Sequence, residues 1–195
     1  MKHLYSYIVS PTNGRYDNKK NNLILNTSIE DHKFVSRHGV IIALPVNVEH
    51  DYLKIGDEVI LHHNVFRRFY DVRGNEKNSS SYFQEDKYFC YYDQIFLYKR
   101  NNKWTAPPGY CFVNPIKSTN DLELDKEQPL TGFLKHVGSD LRSFGLKDND
   151  LIGFTPNSEY EFIIDGEKLY RVPTESISIK YERKGTEVKY NPSWV

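Results

Sequence analysis

With 195 residues the chain is long enough for one large or two small domains, and for a substantial core without covalent staples. Lys plus Arg and Asp plus Glu each number 26, and this zero net charge argues against a dominant polyanion partner, so nucleic acid is not the expected ligand. Two cysteines, Cys90 and Cys111, exclude a disulfide framework, the first residues lack the apolar stretch of a signal peptide, and no apolar run approaches the roughly 20 residues of a membrane span; a cytoplasmic protein with reduced thiols is expected.

Fifteen Tyr and eleven Phe against two Ala (Ala43 and Ala106) disfavour helix and favour strand, a skew that an AT-rich viral or bacterial genome would also give. The apolar runs are short and end at turn residues, which predicts an all-β fold of small barrels or sandwiches. In chain order, Tyr5 to Val9 predicts a strand stopped by Ser10-Pro11-Thr12-Asn13-Gly14. A long polar segment from Arg15 to about Ser36 follows, interrupted by Leu23-Ile24-Leu25. Val40 to Leu44 and Glu58 to His62 predict strands, Phe66 to Tyr82 an excursion, and Phe83 to Phe96 a strand-rich stretch. Pro107-Pro108-Gly109 marks a junction, after which strands are predicted at Gly132 to Val137, Leu151 to Phe154, Tyr160 to Ile164 and Leu169 to Val172. Asp165-Gly166 has the chemistry of a two-residue hairpin turn.

The chain repeats itself. Gly39-Val40-Ile41-Ile42 leads to Leu53-Lys54-Ile55-Gly56-Asp57-Glu58-Val59-Ile60, and Gly132-Phe133-Leu134 leads to Leu146-Lys147-Asp148-Asn149-Asp150-Leu151-Ile152. The glycine-to-aspartate spacing is 18 in both, and the copies lie 93 residues apart. Tyr7-Ile8-Val9-Ser10-Pro11 is matched by Cys111-Phe112-Val113-Asn114-Pro115. A period this long means two small domains, placed at 1–103 and 104–195, rather than a solenoid.

The repeat unit resembles the GroES-like co-chaperonins, the lid subunits of group I chaperonins. The resemblance rests on the order of an apolar strand ending near Pro, a loop with an apolar cluster, Val35-Ser36-Arg37-His38-Gly39-Val40, Leu53-Lys54-Ile55-Gly56-Asp57-Glu58-Val59-Ile60 and a closing strand, twice over. It implies two tandem small GroES-like β-barrels, the first with a long mobile loop at about 15–36. It also implies that Leu23, Ile24 and Leu25 are the chaperonin-binding tripeptide, with Asn22 where the family has Gly. The implied partner is a group I, GroEL-like chaperonin in its nucleotide-bound state. The implied assembly is a homo-oligomeric ring, with no enzymatic activity, no cofactor, no metal and no membrane. Neighbours in the ring are expected to pair through the edges Tyr5–Val9 and Gln94–Tyr98.

Departures exist. In the second copy Leu122-Glu123-Leu124 breaks the triplet, so that loop is not expected to dock. Pro45 to Tyr52 and Gly138 to Gly145 are short where the family carries its roof hairpin. The first copy is enlarged at Arg67 to Ser81, as in viral co-chaperonins, where the location would be host cytoplasm. The alternatives are a virion or other structural assembly protein reusing the barrel, and a single-strand nucleic-acid-binding barrel built on Arg67, Arg68, Phe69 and Tyr70. His50, His62, His63 and the two cysteines lack zinc-ligand spacing.

Overall fold

The computed structural model describes residues 3–15, 19–20, 23–24, 35–47, 51–119 and 126–195, with residues 19, 20, 23 and 24 at the backbone. The fold is all-β and antiparallel, and the chain divides into two compact units, Met1–Lys103 and Trp104–Val195.

In the first unit, β1 (Tyr7–Pro11) lies between β4 (His38–Ala43) and β9 (Lys87–Cys90). The sheet runs from β8 (Tyr82–Gln84) through β9, β1, β4 and β5 (Glu58–Leu61) to β10 (Ile95–Arg100) and β11 (Lys103–Thr105). Two hairpins form sheets of their own: β2 (Lys19–Lys20) with β3 (Leu23–Ile24), and β6 (Arg68–Tyr70) with β7 (Glu76–Asn78).

In the second unit, β12 (Tyr110–Lys117) lies between β13 (Glu127–His136) and β16 (Glu167–Pro173). Its sheet runs from β15 (Tyr160–Ile164) through β16, β12, β13 and β14 (Leu151–Phe154) to β17 (Ile177–Tyr181). Strand for strand this is the order of the first unit from β8 to β10. In both copies a 3-10 turn (Tyr92–Gln94 and Thr174–Ser176) precedes the last strand. Among the described residues neither sheet closes on itself through hydrogen bonds.

The repeat holds at the level of single bonds. Pro11 faces Gly39 as Pro115 faces Gly132. A side chain at Gly39 would put its Cβ 2.9 Å from the Ser10 carbonyl oxygen, and one at Gly132 would put it 2.4 Å from that of Asn114. Both glycines therefore serve close strand approach. The Ile41 amide donates to the Asp57 carbonyl at 3.0 Å and the Gly56 amide to the Ile41 carbonyl at 2.8 Å; Leu134, Asp150 and Asn149 repeat these at 2.9 and 2.7 Å. Gly56 has φ +90° and Asn149 φ +69°, so the position needs the left-handed region, which Asn tolerates best after Gly. The cores also match, with Tyr7, Val9, Ile41, Val59, Leu61 and Cys90 replaced by Cys111, Val113, Leu134, Ile152, Phe154 and Val172. Asp165 (φ +50°) and Gly166 (φ +76°) form the two-residue turn between Ile164 and Glu167, with both φ values of a type I′ turn.

Three expectations need correction. The first strand starts at Tyr7, not Tyr5, and it is interior: both of its sides are paired. Gln94–Tyr98 is no edge either, because β10 lies between β5 and β11. Burial alternation shows which face of a strand is covered but not which neighbour lies beside it, so strand order escaped the sequence pattern. Finally, the short segment after Gly138 forms a helix, α1 (Ser139–Ser143), whose Leu141 joins the core of the second unit. Among the described residues no helix is long and apolar enough to cross a membrane.

Candidate functional site

The excursion that follows β1 leaves and rejoins the sheet through a narrow neck. The Thr12 amide donates to the His38 carbonyl at 3.1 Å, and the Ser36 amide donates to the Arg15 carbonyl at 2.9 Å. Arg15 fastens this neck to the body. Its Nε donates to the Phe66 carbonyl at 3.2 Å, and its guanidinium reaches Asn78 Oδ1 at 2.8 Å and the Arg67 carbonyl at 3.4 Å. The guanidinium also lies 5.2 Å from the Tyr88 ring centre and 5.9 Å from that of Tyr82, within cation–π range. Nothing near Arg15 in the sequence marks it as an anchor, because its partners are 51 to 63 residues away.

Leu23 and Ile24 lie beyond this neck. Their backbones pair with Lys20 and Lys19 in the β2–β3 hairpin, a sheet separate from that of the body. Leu25, the third residue of the expected tripeptide, lies outside the described residues, as does Leu122-Glu123-Leu124 of the second copy. The neck thus holds a compact excursion, tipped in part by a short ladder, at a fixed place on the sheet.

The basic and aromatic cluster Arg67 to Tyr70 sits on and before the other hairpin, β6–β7. Arg68 Nη1 meets Glu76 Oε1 at 2.7 Å and Lys77 Nζ approaches Asp71 Oδ2 at 3.8 Å, so the hairpin balances its own cations. Asp71 also accepts the Arg73 and Asn75 amides, both at 2.9 Å, and these bonds tighten the turn. Phe69, Tyr70 and Val72 are exposed along it.

The remaining titratable groups are tied into structure. In each repeat turn the aspartate caps its own loop: Asp57 Oδ2 accepts the Lys54 amide at 2.8 Å and Asp150 Oδ2 accepts the Lys147 amide at 2.9 Å. A cation from the last strand of the unit completes each cap. Arg100 grips Asp57 at 3.0 and 2.5 Å, and Lys180 reaches Asp150 at 2.7 Å. Lys168 stands between Glu127 (3.2 Å) and Glu161 (3.1 Å), 5.0 Å from the centre of the Tyr170 ring, and the Tyr170 hydroxyl donates to Glu127. These residues line a cleft of about 530 Å³ with Pro129, Leu130 and Phe154. Burial opposes the Lys168 ammonium, but Tyr170 and the two carboxylates outweigh it and hold the amine protonated above its ordinary range, so it is no general base. Burial pushes Tyr170 up to about 12. Burial also raises both buried thiols, Cys90 and Cys111, far from the thiolate form that a nucleophile needs. The half-buried His136 is pushed down to about 4, first by burial and then by the Lys135 charge, and is neutral at pH 7.

His62 and His63 stack at 4.4 Å, with His62 Nδ1 accepting the Asn64 amide at 3.1 Å. His50 lies outside the described residues. Among the described residues no three His, Cys, Asp or Glu side chains gather as metal ligands.

No protein-family model matches the chain, and no curated protein matches it.

Proposed function

We propose that the chain is a co-chaperonin subunit. It caps a group I chaperonin ring in its nucleotide-bound state through Leu23, Ile24 and Leu25 and assists the folding of a client in the cytoplasm, the host's cytoplasm if the source is viral. The observation that carries this reading is the excursion between Arg15 and Ser36. It is closed at its neck by a 2.9 Å backbone bond, clamped by Arg15, and carries Leu23 and Ile24 on a hairpin that the main sheet does not use. An apolar triplet on a polar excursion wants a partner groove. Single contacts of this kind are weak and reversible, and several loops in one homo-oligomeric ring supply the avidity that a cycling lid needs. In this reading each unit is a small barrel, closed by side-chain packing rather than by a continuous ladder, and the chain works without cofactor, metal or catalytic residues.

The test is a pull-down against a group I chaperonin with ATP or ADP, comparing the wild type with Leu23→Asp and Ile24→Asp. Nucleotide-dependent capture of the wild type, lost in both variants, is the expected result. Absence of capture in every nucleotide state would overturn the lid reading and favour a structural assembly protein, a reading that draws on the exposed Ile179 and Tyr181 of the end strand β17.

A further inference from the structure

The two copies share a topology, and they differ sharply at one place. In the first unit, Tyr5, Tyr7, Tyr91 and Tyr92 line an open groove of about 300 Å³ with Pro45, Asn47 and Asp93. The pairings Tyr7–Cys90 and Cys111–Val172 fix the correspondence between the copies. At the matching positions the second unit has Gly109, Cys111, Pro173 and Thr174. The same strand order and the same 3-10 turn form there without a single tyrosine. The fold therefore does not require these rings, and their concentration in one copy needs another reason.

We propose that this groove binds a proline-rich segment in the polyproline II conformation, with a basic residue at one end. Three strips of chain converge on it, each held by backbone bonds. The Val46 and Asn47 amides donate to the His3 and Leu4 carbonyls at 2.8 and 3.1 Å, and these bonds set the Pro45 turn beside Tyr5. The Tyr7–Cys90 pairing places Tyr91 next to Tyr7, and the Tyr91 amide is capped by Gln94 Oε1 at 2.9 Å. Tyr92 meets the Tyr52 hydroxyl with its own, and Tyr52 stacks on Tyr98 at 5.9 Å, so the wall behind the groove is rigid.

The rims are wet and apolar at once: Tyr5 is 66% and Tyr91 56% exposed, and Leu4 and Val46 are exposed beside them. Tyrosine rings standing as ridges leave shallow slots that fit prolyl rings. Their hydroxyls suit a polyproline II backbone, which has no internal hydrogen bonds and offers its carbonyls outward. The Asp93 carboxylate on the lining complements an Arg or Lys of the ligand. Other peptide modes fit less well. An added strand would need an open edge, and β1 is paired on both sides. A helix about 10 Å wide is too broad for a groove of about 300 Å³. The inference is independent of the lid reading, since none of these residues lies on the docking excursion.

The test is a two-dimensional NMR titration of the full chain with a ten-residue peptide of two Pro-x-x-Pro steps ending in Arg. A scrambled proline-free peptide and a chitin or cellulose oligosaccharide serve as comparisons. Shifts confined to residues 4–7, 45–47 and 91–93 are expected with the proline-rich peptide alone. Tyr5→Ala and Tyr91→Ala should each weaken binding about tenfold, as central aromatic contacts do. Both side chains are exposed, and superimposable circular dichroism melts would establish that the variants fold. Asp93→Asn should weaken the Arg-ended peptide severalfold and leave a Gln-ended one unchanged, a comparison made between ligands and so independent of folding. No shift at millimolar peptide, equal binding of the scrambled peptide, or uptake of the oligosaccharide in its place would each overturn the proposal.

Discussion

Asp150 shows what one residue of the repeat does. Its carboxylate takes the Lys147 amide at 2.9 Å and the Lys180 ammonium at 2.7 Å while nearly buried. Burial alone would raise its carboxyl, but the Lys180 and Lys147 interactions together more than reverse this and hold it below 3.8. A carboxyl depressed by folding stabilises the native state fully above its unfolded value, and that contribution is lost as pH falls through the folded value. Asp150→Asn keeps the shape and removes the charge, so it should cost about 1–3 kcal/mol at neutral pH. Thermal melts from pH 7 to pH 2 should show the gap between variant and wild type closing below about pH 4. A gap that stays constant into acid would mean that the charge contributes nothing. At this scale the sequence was half legible. An aspartate after a turn glycine announces that it caps its own loop, and both copies do so. The cations that complete the caps were hidden, because Arg100 and Lys180 lie 43 and 30 residues further along the chain. The tyrosines were read as core and interface; only comparison of the copies position by position separates Tyr7, which is buried like its counterpart Cys111, from Tyr5 and Tyr91, which nothing in the second copy matches.

Among the elements, the pairing of β1 with β4 and of β12 with β13 depends on a glycine that lets two backbones close up. An added Cβ at Gly132 would lie 2.4 Å from the Asn114 oxygen and 2.5 Å from Val113 Cγ1, while at Gly39 the nearest atom is 2.9 Å away. Both clashes are with backbone, which cannot rotate aside. Gly132→Ala should therefore destabilise by about 3 kcal/mol and Gly39→Ala by about 1 kcal/mol, both as overpacking. Urea unfolding of the two variants checks the order, and equal losses would mean that β13 shifts freely. Strand existence was readable from short apolar runs between turn residues, and Leu151 to Phe154 and Tyr160 to Ile164 fall where the pattern put them. Three elements were not readable. The pattern around Tyr5 is apolar on both sides of the true start, so it could not place that start. The five residues of α1 are too few to show a helical period. The β2–β3 pairing joins residues that show no alternation.

For the molecule as a whole, duplication has an energetic consequence. Two copies of one strand order present corresponding sheet ends, and in the second unit those ends are β15 and β17. β17 is exposed along nearly its whole length, with Ile179 at 48% and Tyr181 alongside, and β15 exposes Ile163. An open end strand with apolar side chains and unpaired backbone groups invites another strand. Pairing β17 of one copy with β15 of the next is a head-to-tail contact, the kind that generates a ring when its rotation closes. The ring of the proposed lid would then be built from these strands, since β1 and β10 are already flanked on both sides. Ile179→Lys and Ile163→Lys place a charge in the middle of each edge without touching the core of the unit. Sedimentation velocity of the wild type should show a concentration-dependent assembly, and either variant should shift it to the single chain with the melting temperature unchanged. Assembly that survives both substitutions would locate the contact elsewhere, on the first unit, and would separate ring formation from the second copy altogether.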